Sequence, residues 1–102
     1  MSVGALEPQF YQTFLDKLGL TDDDLPQFGD WAALKEKTAA VFLTRTQAEW
    51  SALFDGSDAC VVPVLDPAAA ASHPHNVARG SFLEDGLPRP APRLSRTPPE
   101  RR

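Results

Sequence analysis

The chain has 102 residues, enough for one small domain, and carries a formal net charge of −4. Hydrophobic residues make up 42% and charged residues 24%, a composition that favours a packed core over disorder. Because nucleic-acid recognition needs concentrated basic charge, nucleic acid is not an expected partner. No apolar run reaches the roughly 18 residues of a membrane span, so we expect no membrane association and a cytoplasmic location.

The first predicted helix follows a short apolar start that is typical of a strand ending in a turn. Proline fits the first helical position and an acidic side chain suits the amino end, so Glu7-Pro8 predicts the helix start. Gly19 predicts its end. The predicted buried stripe, at helical spacing, consists of Phe10, Phe14 and Leu18.

Two further helices are predicted from their capping residues. Asp30 is a good N-cap for the second helix, and Thr46 followed by Glu49 forms a capping-box pattern for the third. The inward side of the second helix is predicted to consist of Trp31, Leu34, Thr38 and Val41. The apolar side of the third is predicted to consist of Trp50, Leu53 and Phe54, with Gly56 ending the helix.

Residues 59–65 are the best strand candidate, being β-branched and apolar. Pro63 predicts that this strand lies at an edge or that pairing stops there. The lone Cys60 is expected to be a buried, inert thiol in a reducing compartment. Asp66-Pro67 predicts a short helix over 68–72, and a short strand is predicted at 81–83.

From Gly86 onward proline and arginine dominate, and an extended segment is predicted. We therefore predict an α+β fold, small and mainly helical with short strands, with a domain at 1–85 and an extended tail or linker at 86–102. His73 and His75 are the only histidines, and without further ligands they favour a turn over a metal site, so no metal site is predicted.

Glu7 is the candidate residue for chemistry, and its position has two interpretations. A carboxylate at a tight turn can orient or charge-balance a histidine. A carboxylate at a helix start also simply stabilises the helix dipole, and spacing alone favours this simpler role.

The order of several segments resembles the later part of the α-methylacyl-CoA racemases of CoA-transferase family III. The most specific are Glu7-Pro8-Gln9-Phe10 and the segment 54–60, Phe-Asp-Gly-Ser-Asp-Ala-Cys. The resemblance runs from Val3 to about Pro98, through residues 4–11, 46–50, 54–65, 73–82 and 88–94.

The resemblance implies a place in an interlocked homodimer whose subunits each have a large α/β domain and a small one. This chain resembles the small domain and the start of the linker that returns to the large domain. The implied reaction is epimerisation at C2 of a 2-methylacyl-CoA thioester. One group removes the α-proton, and another returns a proton to the opposite face of the enolate.

In that family a histidine and an aspartate of the large domain exchange the proton, and a glutamate pairs with the histidine. Only the glutamate maps onto this sequence, at Glu7. The resemblance therefore implies that Glu7 orients a histidine from the missing large domain, with the CoA thioester as substrate and no separate cofactor. We expect the chain alone to be inactive.

Two alternatives remain open at this stage. One is a piece of a family III CoA-transferase, although Glu7-Pro8-Gln9 stands where those enzymes have a glycine-rich loop. The other is a small, non-catalytic protein-interaction module with a Pro/Arg tail.

Overall fold

The computed structural model describes residues 1–99. The last three residues of the predicted tail, 100–102, lie outside the described residues. The predicted α+β class is confirmed. The elements in chain order are β1 (Ser2–Val3), α1 (Pro8–Leu18), α2 (Trp31–Phe42), α3 (Gln47–Phe54), β2 (Val61–Val62), α4 (Pro67–Ser72) and α5 (Pro74–Ala78).

The chain divides into two compact units, the first spanning Met1–Val64 and the second beginning at Leu65. The predicted domain boundary at residue 86 rests on a change of composition and stays a prediction. Within residues 1–99, no helix is long and apolar enough to cross a membrane.

Local sequence signals place the three long helices. Pro8 begins α1 as predicted, and Gly19 ends it in the left-handed conformation at φ 70°. The Asp30 side chain caps α2 by accepting from the Ala32 and Ala33 backbone N–H groups. Helix α3 begins with the predicted capping box between Thr46 and Glu49.

The core of the first unit is an aromatic cluster between α1, α2 and α3. Phe14, Trp50 and Phe54 are buried, and Phe42 packs against them. The Phe42 and Trp50 rings meet edge-on with centroids 5.1 Å apart, a favourable aromatic geometry. The buried residues of this core are Phe14, Leu15, Leu25, Trp50, Phe54, Ala59 and Val61.

The predicted inward position of Trp31 is wrong. Its side chain is 66% exposed and meets only the edge of Phe28 among the aromatic rings within the described residues. Trp31 is the first residue of α2, so it follows the helical stripe but projects beyond the end of the core. Leu34, Thr38 and Val41 are half-buried, in line with the rest of the predicted stripe.

The predicted strand at 59–65 is much shorter in the structure. Val61–Val62 pairs antiparallel with Ser2–Val3, and Pro63 follows at once, as expected for a residue that cannot donate to the ladder. Cys60 adopts φ 53°, which interrupts the extended backbone on the other side. The expectation of a buried Cys60 is therefore wrong: its neighbours Ala59 and Val61 are buried, whereas Cys60 is exposed.

The second unit begins with α4, which the Asp66 side chain caps by accepting from the Ala69 N–H. Asn76 of α5 donates to the Ala70 carbonyl oxygen at 2.8 Å and ties the two short helices together. The predicted strand at 81–83 is reduced to a single bridge between Phe82 and Pro88.

The capping box makes the stability of the fold depend on pH. The backbone N–H and the hydroxyl of Thr46 each donate to the Glu49 carboxylate at 2.8 Å, and these bonds hold the pKa of Glu49 below its ordinary value. A lowered folded-state pKa stabilises the fold above the ordinary pKa, and this contribution is lost as pH falls through the folded-state pKa. We expect Glu49→Gln to remove this part of the acid dependence of unfolding.

The measurement is the free energy of unfolding as a function of pH, with an NMR titration of the Glu49 carboxyl beside it. Glu36→Gln, at an exposed carboxylate on α2, is the matched control. An acid dependence that is the same in Glu49→Gln, Glu36→Gln and the unaltered chain would contradict the expectation.

Candidate functional site

Glu7 lies at the N-cap of α1 with φ −74° and ψ 145°, and its side chain is exposed. Unlike Asp30, Thr46 and Asp66, it makes no side-chain hydrogen bond to the helix that it caps. A carboxylate at an N-cap normally accepts from the second or third helical N–H. The Glu7 carboxylate is therefore left available to a group outside its own helix.

The backbone around Glu7 is well hydrogen-bonded even though its side chain is not. The Glu7 carbonyl oxygen accepts from the N–H groups of Phe10 and Tyr11 at 3.0 Å each. On the other side, the Leu6 N–H donates to the Gly4 carbonyl oxygen at 2.8 Å, which closes a tight turn. The turn at residues 4–7 therefore presents an exposed carboxylate on an ordered backbone.

Cys60 lies beside this turn. Its carbonyl oxygen accepts from the Gly4 N–H at 2.9 Å. The left-handed backbone of Cys60 sets the direction in which this carbonyl points. For a residue with a Cβ, the left-handed conformation costs about 1 kcal/mol or more. The backbone of Cys60 is therefore locally strained where it accepts this hydrogen bond. The thiol donates to the Asp58 carbonyl oxygen at 3.7 Å.

Sequence reasoning missed Gln27, which also contacts the turn. Its side-chain amide donates to the Leu6 carbonyl oxygen at 2.6 Å, across 21 residues of sequence. Nearby, the Tyr11 hydroxyl donates to the Leu25 carbonyl oxygen at 2.6 Å. Burial, with a smaller contribution from the Asp22 charge, raises the pKa of Tyr11, so its hydroxyl stays a donor. A capping-type pattern in the sequence identifies Glu7, but no pattern in the sequence identifies the hydrogen bond from Gln27 to the Leu6 carbonyl oxygen.

The first unit contains no histidine, since the two in the chain are His73 and His75. His73 is the half-buried N-cap of α5, and His75 is exposed on that short helix. Within residues 1–99, no three His, Cys, Asp or Glu side chains are grouped as metal ligands. Any imidazole beside Glu7 must therefore come from outside the first unit.

A groove of ≈ 460 Å³ opens on the first unit between α1 and α2. Its walls are mostly apolar, and Gln27 and Lys35 add polar groups. The apolar walls include Tyr11, Leu25, Trp31, Leu34 and Phe42.

Comparison with known proteins identifies the class. The sequence profile of CoA-transferase family III matches residues 1–101, and the chain belongs to that family. The match agrees with the resemblance carried by the Glu7 turn and by residues 54–60.

Among its relatives, the chain is 52% identical to a mouse and 50% identical to a human protein, each named alpha-methylacyl-CoA racemase. Both alignments cover 96% of this chain. It is also 34% identical, over 92% of its length, to a CaiB/baiF CoA-transferase family protein of Caenorhabditis elegans. The chain spans 28% of the length of each of these relatives.

Proposed function

We propose that this chain is the part of an α-methylacyl-CoA racemase that supplies Glu7 to a composite active site. The observation that carries the proposal is the free carboxylate of Glu7 at an N-cap, on a backbone that is hydrogen-bonded on both sides. The identity of 52% and 50% to two proteins of that name supports the choice of reaction.

The proposed reaction is epimerisation at C2 of a 2-methylacyl-CoA thioester. The proton acceptor and the proton donor stand on opposite faces of C2, because a single group on one face would return the proton with retention. Both groups, a histidine and an aspartate, belong to a large domain that this chain does not contain. In an interlocked homodimer, the large domain and a second subunit are the partners of this chain, and the chain alone is inactive.

The role of Glu7 is to accept a hydrogen bond from the catalytic imidazole. The bond fixes which ring nitrogen carries the proton and stabilises the imidazolium that forms when the α-proton is taken. Glu7 is therefore a positioning residue that acts through the histidine. Its exposure within the first unit is what such a role requires, since the partner imidazole approaches from outside.

A family III CoA-transferase is the second candidate, since one relative carries that name at 34% identity. In such an enzyme an aspartate forms an acyl anhydride, and CoA passes to a second acid. The higher identity to the two racemases and the Glu7-Pro8-Gln9 sequence favour the first proposal.

A chimera tests the proposed function. The segment of the mouse racemase that matches this chain is replaced by this chain, and one C2 epimer of a 2-methylacyl-CoA is incubated in D₂O. We expect both epimers, with deuterium at C2, at a rate within about tenfold of the mouse enzyme, because a swapped domain perturbs active-site placement only modestly.

Adding an acceptor acid separates the two candidates. Racemase activity leaves the acceptor unchanged, whereas a CoA-transferase converts it to its CoA thioester. A folded chimera that transfers CoA, or that neither epimerises the substrate nor exchanges its C2 proton, contradicts the racemase proposal.

A further inference from the structure

The two peptide groups that flank the Glu7 Cα are each held by hydrogen bonds, but by different parts of the chain. The Glu7 carbonyl oxygen is held from within α1 by the N–H groups of Phe10 and Tyr11. The Leu6 carbonyl oxygen, in the preceding peptide group, is held by the Gln27 side chain. Together the two sets of bonds fix the direction in which the Glu7 side chain leaves the backbone.

The segment that carries Gln27 is itself anchored. Leu25 is buried in the core at 3% exposure, and its carbonyl oxygen accepts from the Tyr11 hydroxyl at 2.6 Å. Pro26 between them has a restricted φ, which limits the motion of Gln27 relative to Leu25. The Gln27 amide is therefore a donor on a well-supported backbone, two residues beyond a core position.

The geometry points to Gln27 as a positioning residue that sets the orientation of the Glu7 carboxylate through the Leu6 carbonyl. This inference rests on the proposed function, because a fixed carboxylate matters for catalysis only if Glu7 pairs with the catalytic imidazole. It goes beyond that function by assigning a role to a residue 20 positions away in a different loop. Gln27 touches neither substrate nor reacting atoms in this role.

A purely stabilising bond is the competing explanation, and the chain offers a matched control for it. Gln47 also donates its side-chain amide to a backbone carbonyl oxygen, that of Val64, at 2.8 Å across 17 residues. Both bonds are exposed and of the same chemical type. If Gln27 only stabilised the fold, replacing Gln27 and replacing Gln47 would have similar consequences for the Glu7 turn.

The first test measures backbone order in the full chain by ¹⁵N relaxation. Methionine keeps the length of glutamine but cannot donate, so we expect Gln27→Met to lower the order parameters of Leu6 and Glu7 from about 0.85 towards 0.6. Gln47→Met should leave both values unchanged. Unchanged order at Leu6 and Glu7 in Gln27→Met overturns the inference, whatever the chimera does.

The second test measures steady-state epimerisation in the chimera. Because a misplacement of 1 Å can lower a rate by up to about 10²-fold, we expect Gln27→Met to lower kcat about tenfold at unchanged KM. Gln27→Lys retains a donor of similar reach and should restore most of kcat, whereas Gln47→Met should leave kcat near the unaltered value.

The outcomes separate the inference from the function on which it rests. If Glu7→Gln lowers kcat but Gln27→Met does not, the inference is wrong and the proposed function stands. An equal loss of kcat in Gln27→Met and Gln47→Met also overturns the inference about Gln27. If Glu7→Gln has no effect, the proposed function is wrong, and the catalytic role of Gln27 fails with it.

Discussion

Replacing Trp50 by alanine is expected to lower the free energy of unfolding by about 3–5 kcal/mol, whereas replacing Trp31 should change it by less than about 1 kcal/mol. The two tryptophans are the only ones in the chain and differ in burial, at 3% and 66% exposure. A domain of this size is typically stable by about 5–15 kcal/mol, so Trp50→Ala should remove a large fraction of that stability and lower the unfolding midpoint strongly.

The large effect follows from the contacts of Trp50. Its ring stacks on Phe54 and meets Phe42 edge-on, and the Arg45 guanidinium lies 4.9 Å from the ring centroid. The indole N–H donates to the Phe42 carbonyl oxygen at 2.9 Å. Alanine removes all of these contacts and leaves a cavity between α2 and α3. Phenylalanine keeps part of the packing but loses the N–H. The free energy of unfolding of Trp50→Phe should therefore lie between those of Trp50→Ala and the unaltered chain.

The measurement is urea unfolding followed by far-UV circular dichroism, since tryptophan fluorescence changes when either tryptophan is replaced. The midpoint should fall in the order Trp31→Ala, Trp50→Phe, Trp50→Ala. Equal midpoints for the two alanine variants would show that the aromatic cluster around Trp50 does not dominate the stability of the first unit.

The helices of the first unit could be predicted from sequence because their boundaries are set by local chemistry. Pro8, Asp30 and Thr46 act through the first turn of their own helices, and Gly19 acts through its own backbone conformation. Each signal needs only residues three or four positions away. The α+β class follows from these helices together with the apolar run that contains β2.

The two wrong burial predictions have a common physical origin. Trp31 and Cys60 both lie in apolar patterns, but Trp31 is the first residue of α2 and Cys60 comes immediately before β2. Periodicity states which side of an element faces inward and not where the core ends along it. The left-handed backbone at Cys60 further turns its side chain outward. Cysteine is not a residue type that predicts this conformation, as glycine or asparagine would be.

At the candidate site, too, local features could be predicted from the sequence and contacts between distant residues could not. The position of Glu7 at a helix start follows from Pro8 and is confirmed, but its role stays a prediction, because the family resemblance and not local spacing assigns it. The contacts of the Glu7 turn with Cys60 and Gln27 join residues far apart in sequence. Such contacts depend on how α1 packs on the core, which no local pattern specifies.

Replacing Glu7 by glutamine in the chimera is expected to lower the rate of C2 proton exchange by about 10²- to 10⁴-fold. Where a carboxylate orients a catalytic imidazole, its amide replacement keeps the shape but offers an N–H to the ring and favours the wrong tautomer. Because the Glu7 side chain makes no hydrogen bond to its own helix, the substitution should leave the stability of the fold nearly unchanged. A loss of activity without a loss of stability is therefore the expected signature.

The pH dependence gives a second readout of the same substitution. An ionised carboxylate beside an imidazole favours the protonated ring and raises its pKa, so removing the charge lowers that pKa. The imidazole acts as a base only when neutral, above its pKa. We therefore expect the acidic limb of the kcat/KM profile to move to lower pH in Glu7→Gln while the maximum falls.

Glu36→Gln is the control, because it makes the same chemical change at an exposed position of α2. It should keep both the rate and the pH profile of the unaltered chimera. If Glu7→Gln exchanges the C2 proton within about twofold of the unaltered chimera, Glu7 does not orient the catalytic imidazole. Its carboxylate would then serve the dipole of α1 alone, the role that spacing by itself favours.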